Sequence, residues 1–102
     1  MSVIPSMFEI TGRVENLYTM RPVADDGTVQ IKHKVQLLGS IPVEEGSRSG
    51  LIDLSIKDPQ VWETLKDLRG KLVRIPFGYF SPARGQVVAF VPKGAKPVLL
   101  PD

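Results

Sequence analysis

The sequence predicts a mainly β fold: five strands, with one short helix between the third and the fourth. Two observations carry this. The helix is marked at both ends: Asp58 can cap it, Pro59 suits its first turn, Val61, Trp62, Leu65 and Leu68 recur on one face, and Gly70 stops it. The rest reads as strands, three runs before the helix and two after it, with period-two or near-continuous apolar patterning. Strand-strand-strand-helix-strand-strand is the order of the OB-fold, a small five-stranded Greek-key barrel that grips single-stranded nucleic acid or oligosaccharide on strands two and three and in its loops. The barrel is expected over residues 1–91, and residues 92–102, with three prolines and no periodicity, are expected to form an extended or disordered tail.

The first strand is expected from Phe8 to Tyr18. Phe8, Ile10, Gly12, Val14 and Tyr18 share one side, and Glu9, Thr11, Arg13 and Glu15 the other. Gly12 in mid-strand suits the bulge or sharp coil that a small barrel needs to close. Met20 to Gly27 reads as a loop, with Asp26-Gly27 as a turn. The second strand, Thr28 to Leu38, puts Val29, Ile31, His33, Val35 and Leu37 on one side and Gln30, Lys32, Lys34 and Gln36 on the other. That polar side carries long donors about 7 Å apart. It suits a sugar-phosphate backbone and suits an ordinary solvated face equally well. Pro42 to Gly50 reads as a polar, mobile connection, and the third strand as Leu51 to Ile56, with Ile52, Leu54 and Ile56 inward. The helix plugs one barrel end with Trp62 and Leu65. Strand four, Lys71 to Phe80, sets Val73, Ile75, Phe77 and Tyr79 against Leu72, Arg74, Gly78 and Phe80, with Pro76 marking an edge or bulge. A turn, Ser81 to Gly85, places Arg84 at its tip, and Gln86 to Val91 is the fifth strand.

A chain of 102 residues is one domain, long enough to bury a core without staples. It has no cysteine, which excludes disulfides, thiolate metal sites and cysteine nucleophiles. No apolar run approaches the roughly 20 residues that span a bilayer, and MSVIPSMFEI does not read as a signal peptide. A soluble, cytoplasmic protein is expected. The net charge of +2 says little, but its distribution says more. From residue 69 onward, Arg69, Lys71, Arg74, Arg84, Lys93 and Lys96 face a single acid, Asp102, among Phe77, Tyr79, Phe80 and Phe90. Cations interleaved with aromatics on a small barrel suit stacked bases and phosphates.

Catalysis is not expected. The one histidine, His33, falls on the apolar side of a strand and reads as a core or interface residue rather than a general base. No serine has a nucleophile's setting, and Asp25-Asp26 and Glu44-Glu45 are adjacent loop acids without the ordered oxygen ligands of a divalent-metal site. No cofactor is expected. The binding candidates are Tyr18 and Arg21 at the end of strand one, Lys32 and Lys34 on strand two, and Arg74, Tyr79, Phe80 and Arg84 on or beside the last hairpin. Phe77 and Phe90 read as core. Tyr18, Tyr79 and Phe80 stay open between stacking and packing, and Phe80 also suits an oligomer contact.

Three segments, MFEITGRVENLY, TVQIKHKVQLLG and KLVRIPFGYFSPARGQVVAFVPKG with its long hairpin, resemble the small OB-fold single-stranded DNA-binding proteins of filamentous phages, prophages and related mobile elements. The resemblance lies in architecture and residue character over most of the chain, and the interstrand helix departs from the most minimal phage members. It implies a homodimer joined through hairpins that coats replicating single strands without sequence preference in the cytoplasm of a bacterial host. Residue chemistry leaves RNA open as well as DNA, since nothing marks a 2′-hydroxyl contact. It also leaves open an OB-like adaptor that binds a protein partner in replication or virion assembly through the apolar hairpin.

Overall fold

The computed structural model describes residues 6–102, so the first five residues of the expected 1–91 barrel lie outside the described part. The elements in chain order are β1 (Glu9–Met20), β2 (Lys32–Val43), β3 (Gly46–Ile56), α1 (Pro59–Lys66), β4 (Leu72–Pro76), β5 (Gly78–Phe80), β6 (Val88–Val91) and β7 (Val98–Leu99). They form one sheet in the order β5-β6-β3-β2-β1-β4-β7. All pairings are antiparallel except β3 with β6.

The expected fourth strand is present as two pieces. Leu72–Pro76 pairs with β1 on one side of the sheet, and Gly78–Phe80 pairs with β6 at the far edge. Only Phe77 separates them, and its N–H donates to the carbonyl of Phe8 at 3.1 Å. One residue therefore links opposite ends of the strand order, which forces the sheet to curl on itself. The ladder stays open there, and Pro76, lacking an N–H, stands at the break.

The curl encloses Val14, Val35, Leu37, Leu54, Ile56, Val73, Ile75 and Val91, all buried, with Val61 and Leu65 of α1 closing one end. Asp58 caps α1 by accepting from the Gln60 N–H at 2.9 Å. Trp62 is half-buried against the core and stacks on His33 at 4.4 Å, while His33 Nδ1 lies 3.0 Å from the Thr19 hydroxyl. His33 is thus a packed, hydrogen-bonded residue. Gly12 lies close against the end of the β2 pairing. A Cβ there would sit 3.0 Å from the Leu38 carbonyl oxygen.

Two segments differ from the sequence reading. β2 starts at Lys32, not Thr28. Residues 21–31 form a loop closed by a Val23–Val29 bridge, and Val29 and Ile31 are exposed rather than buried. Their alternation continues that of β2, but no neighbouring strand extends far enough to cover them. The expected connection Pro42 to Gly50 is the end of a long hairpin, paired from His33↔Ile56 to Val43↔Gly46. Small polar residues hide that ladder from a hydrophobicity pattern. Pairing of β2 with β1 reaches only Leu38, so residues 39–50 project as a two-stranded ribbon. A radius of gyration of 14.9 Å, against about 13 Å for a compact chain of this size, reflects it. The tail, residues 92–102, is tied down along its length. The Gly94 N–H donates to Asp58 at 2.8 Å, β7 adds to β4, and Asp102 grips Arg13 at 2.6 and 3.0 Å.

Candidate nucleic-acid interface

A bulge decides which face Tyr18 occupies. Val14 pairs with Leu37, but Asn16 pairs with Gln36, so Glu15 is an extra residue in β1. Beyond it the inward parity changes from even to odd. Leu17, opposite Val35, turns to the core, and Tyr18, opposite Lys34, turns out. A regular strand would have left Tyr18 on the core side, where the sequence pattern placed it.

The outer face of β1, β2, β3 and β6 then reads by register. Tyr18, Lys34, Ser55 and Phe90 form one row across four strands. At about 4.8 Å per strand, the two aromatics are roughly 14 Å apart. Asn16, Gln36 and Asp53 form the row beside it, and Met20 and Lys32 lie on the other side. The Tyr18 hydroxyl donates to Asp53 Oδ2 at 2.9 Å. Burial, and then that bond, push the phenol above its ordinary value. Lys32 and Lys34 join no ion pair among the described residues.

Phe90, read as core from the sequence, belongs to this outer face. Strand-like residues 86–91 are apolar on both sides, so periodicity cannot orient them. The parallel register does, because Val91 pairs with Ile56 and goes inward while Phe90 pairs with Ser55 and goes outward. Phe80 of β5 packs on it, ring centroids 5.9 Å apart, and is 46% exposed. Gly78 makes room for this pair, since a Cβ there would meet the Phe90 ring at 2.7 Å.

The other candidates separate. Arg21 follows β1 directly and Arg84 sits in the exposed loop after β5, so each borders the face without lying on it. Arg74 is elsewhere: it pairs with Thr11, at the opposite end of β1 from Tyr18, and its guanidinium binds Glu9 at 3.1 Å. Tyr79 points away from Phe80 and packs edge-on against Phe8 at 5.7 Å, near Phe77. The basic second part of the chain therefore supplies the aromatics Phe80 and Phe90 to this face but not Lys32 or Lys34. Those lysines come from the acid-rich first 68 residues. Gln36, Asp53 and Ser55 were not singled out by the sequence, though their place on the polar side of alternating strands was visible. Among the described residues, no group of three His, Asp or Glu side chains is placed to hold a metal ion.

No family model and no curated protein matches the chain. Solved structures do. A Plasmodium falciparum SSB in complex with single-stranded DNA superposes over 99% of this chain and 99% of its own, at a TM-score of 0.56 and 9% identity. The fold is an OB-fold. At that identity the likeness concerns the path of the chain. The five OB strands correspond here to β1, β2, β3, the interrupted β4–β5 run and β6, with β7 added at the edge. No helix of the described residues is long and apolar enough to cross a membrane.

Proposed function

We propose that this protein binds single-stranded DNA without sequence preference on the outer face of β1, β2, β3 and β6. The observation that carries the reading is the row Tyr18–Lys34–Ser55–Phe90, two aromatics with a cation between them, flanked by Lys32 and Phe80. Aromatic rings stack on any base, each stack being worth about 1–3 kcal/mol, and lysines without an ion-pair partner among the described residues donate to phosphate oxygens. The similar SSB bound to single-stranded DNA supports the same ligand here. No residue is placed in a catalytic role. The setting is coating of single strands in phage or mobile-element replication, in the cytoplasm of a bacterial host. Titration of a labelled oligothymidylate, its duplex and the matching RNA tests this. Preference for the DNA single strand is the expected result, and no binding to a long single strand at low salt would overturn it.

Homodimerisation belongs to the same proposal. The face turned away from Phe80 carries Tyr79 and Phe8 at 59% and 49% exposure, packed edge-on, an apolar surface that a second copy can cover. That same surface favours the second reading, an adaptor that contacts a protein partner and no nucleic acid.

A further inference from the structure

Asp53 is the anomaly of the outer face. A carboxylate one register position from Lys34 opposes phosphate, so on electrostatics alone it weakens binding. Its geometry gives it another task. Tyr18 stands on β1 and Asp53 on β3, with β2 between them, yet hydroxyl and carboxylate are 2.9 Å apart. Two strand spacings of about 4.8 Å each can be bridged only if both side chains lean over β2. The ring is thereby laid along the sheet, between Lys34 and Gln36, instead of standing free in solvent.

We propose that Asp53 is a positioning residue for base stacking: it fixes the Tyr18 ring over β2 so that the ring's open side receives a base. The inference rests on the reading of this face as the single-strand site. It also assigns the layout of the ligand. Phosphates keep to the Lys32 and Lys34 side, and a base, not a phosphate, lies towards Asp53. An immobilised ring stacks without first losing rotamer freedom, which is the gain the carboxylate supplies.

The test compares Asp53→Ala, Asp53→Asn, Tyr18→Phe and the Asp53→Ala/Tyr18→Phe double variant, each titrated with labelled oligothymidylate. Asparagine still accepts the phenol hydrogen but carries no charge. The expected result is that Asp53→Asn binds as tightly as wild type or more tightly. Asp53→Ala and Tyr18→Phe should each bind about fivefold more weakly, the low end of one stacked base. The double variant should be no weaker than either single one. Nuclear Overhauser contacts from the Tyr18 ring to Lys34 and Gln36, measured without DNA, should survive in Asp53→Asn and vanish in Asp53→Ala. Contacts that persist in Asp53→Ala overturn the inference. So do equal affinities for Asp53→Ala and Asp53→Asn in a protein that otherwise binds, because bare charge then accounts for both. A wild type that binds no single strand overturns the reading of the face itself, and the inference with it.

Discussion

One inserted residue, Glu15, turns Tyr18 onto the face that holds Lys34, and a parallel register turns Phe90 onto it from the other side. The side chains that matter are therefore fixed by pairing. Replacing Lys32 and Lys34 with alanine should weaken binding to every single-stranded sequence alike. It should also flatten the log-log salt slope by about 1.4, at about 0.7 for each phosphate no longer neutralised, and an unchanged slope would remove β2 from the site. Phe90→Ala should cost about 1–3 kcal/mol of binding, whereas Arg74→Ala, whose partner is Glu9, should bind nearly as wild type does. Equal weakening by the two would contradict the placement of the face. At this scale the sequence was half legible. The alternation of Gln30 to Gln36 located Lys32 and Lys34 on the polar side, but no pattern in residues 9–20 announces an extra residue at position 15. An apolar run such as Val87 to Val91 likewise has no periodicity from which to assign Phe90.

The elements were more legible than their ends. Asp58, Pro59 and Gly70 bracket α1 because capping chemistry is local, and the alternation of β1 to β4 follows from having one face in the core. The strand at Val98–Leu99 depends on a partner distant in sequence, and the ribbon of residues 39–50 pairs locally but through small polar residues, so no hydrophobic alternation marks either. Gly12 belongs here too. Alanine would press a Cβ against the Leu38 backbone at 3.0 Å and part β1 from β2. Gly12→Ala should lower stability by about 1–3 kcal/mol in denaturant melts. Asp58 ties the start of α1 to the tail by accepting from Gln60 and Gly94. The bond from Gly94 and then that from Gln60 hold its carboxyl below the ordinary range. A depressed folded value means the stabilisation is present above the unfolded value of about 3.9 and is lost as pH falls through the folded one. Wild type should thus be more stable than Asp58→Asn above about pH 4, and thermal melts of the two should converge on acidification. Parallel melting curves at every pH would mean that the charge contributes nothing.

On the scale of the whole molecule, a chain folded as one curled sheet has two surfaces to use. The proposed function assigns the outer face to DNA and the apolar surface around Tyr79 and Phe8 to another copy. The two are separable by substitution. Tyr79→Ala should shift sedimentation towards monomer and leave the intrinsic affinity for a short oligomer intact, while Phe80→Ala should do the reverse. A wild type that is monomeric at micromolar concentration would contradict the dimer. Backbone amide shifts of labelled protein during titration with oligothymidylate locate the single-strand site. The expected perturbations fall on Tyr18, Lys32 to Gln36, Asp53 to Ser55, Phe80 and Phe90, with Arg74 and β7 unmoved. Perturbations centred on β4 and β7, or none at saturating DNA, would contradict this location.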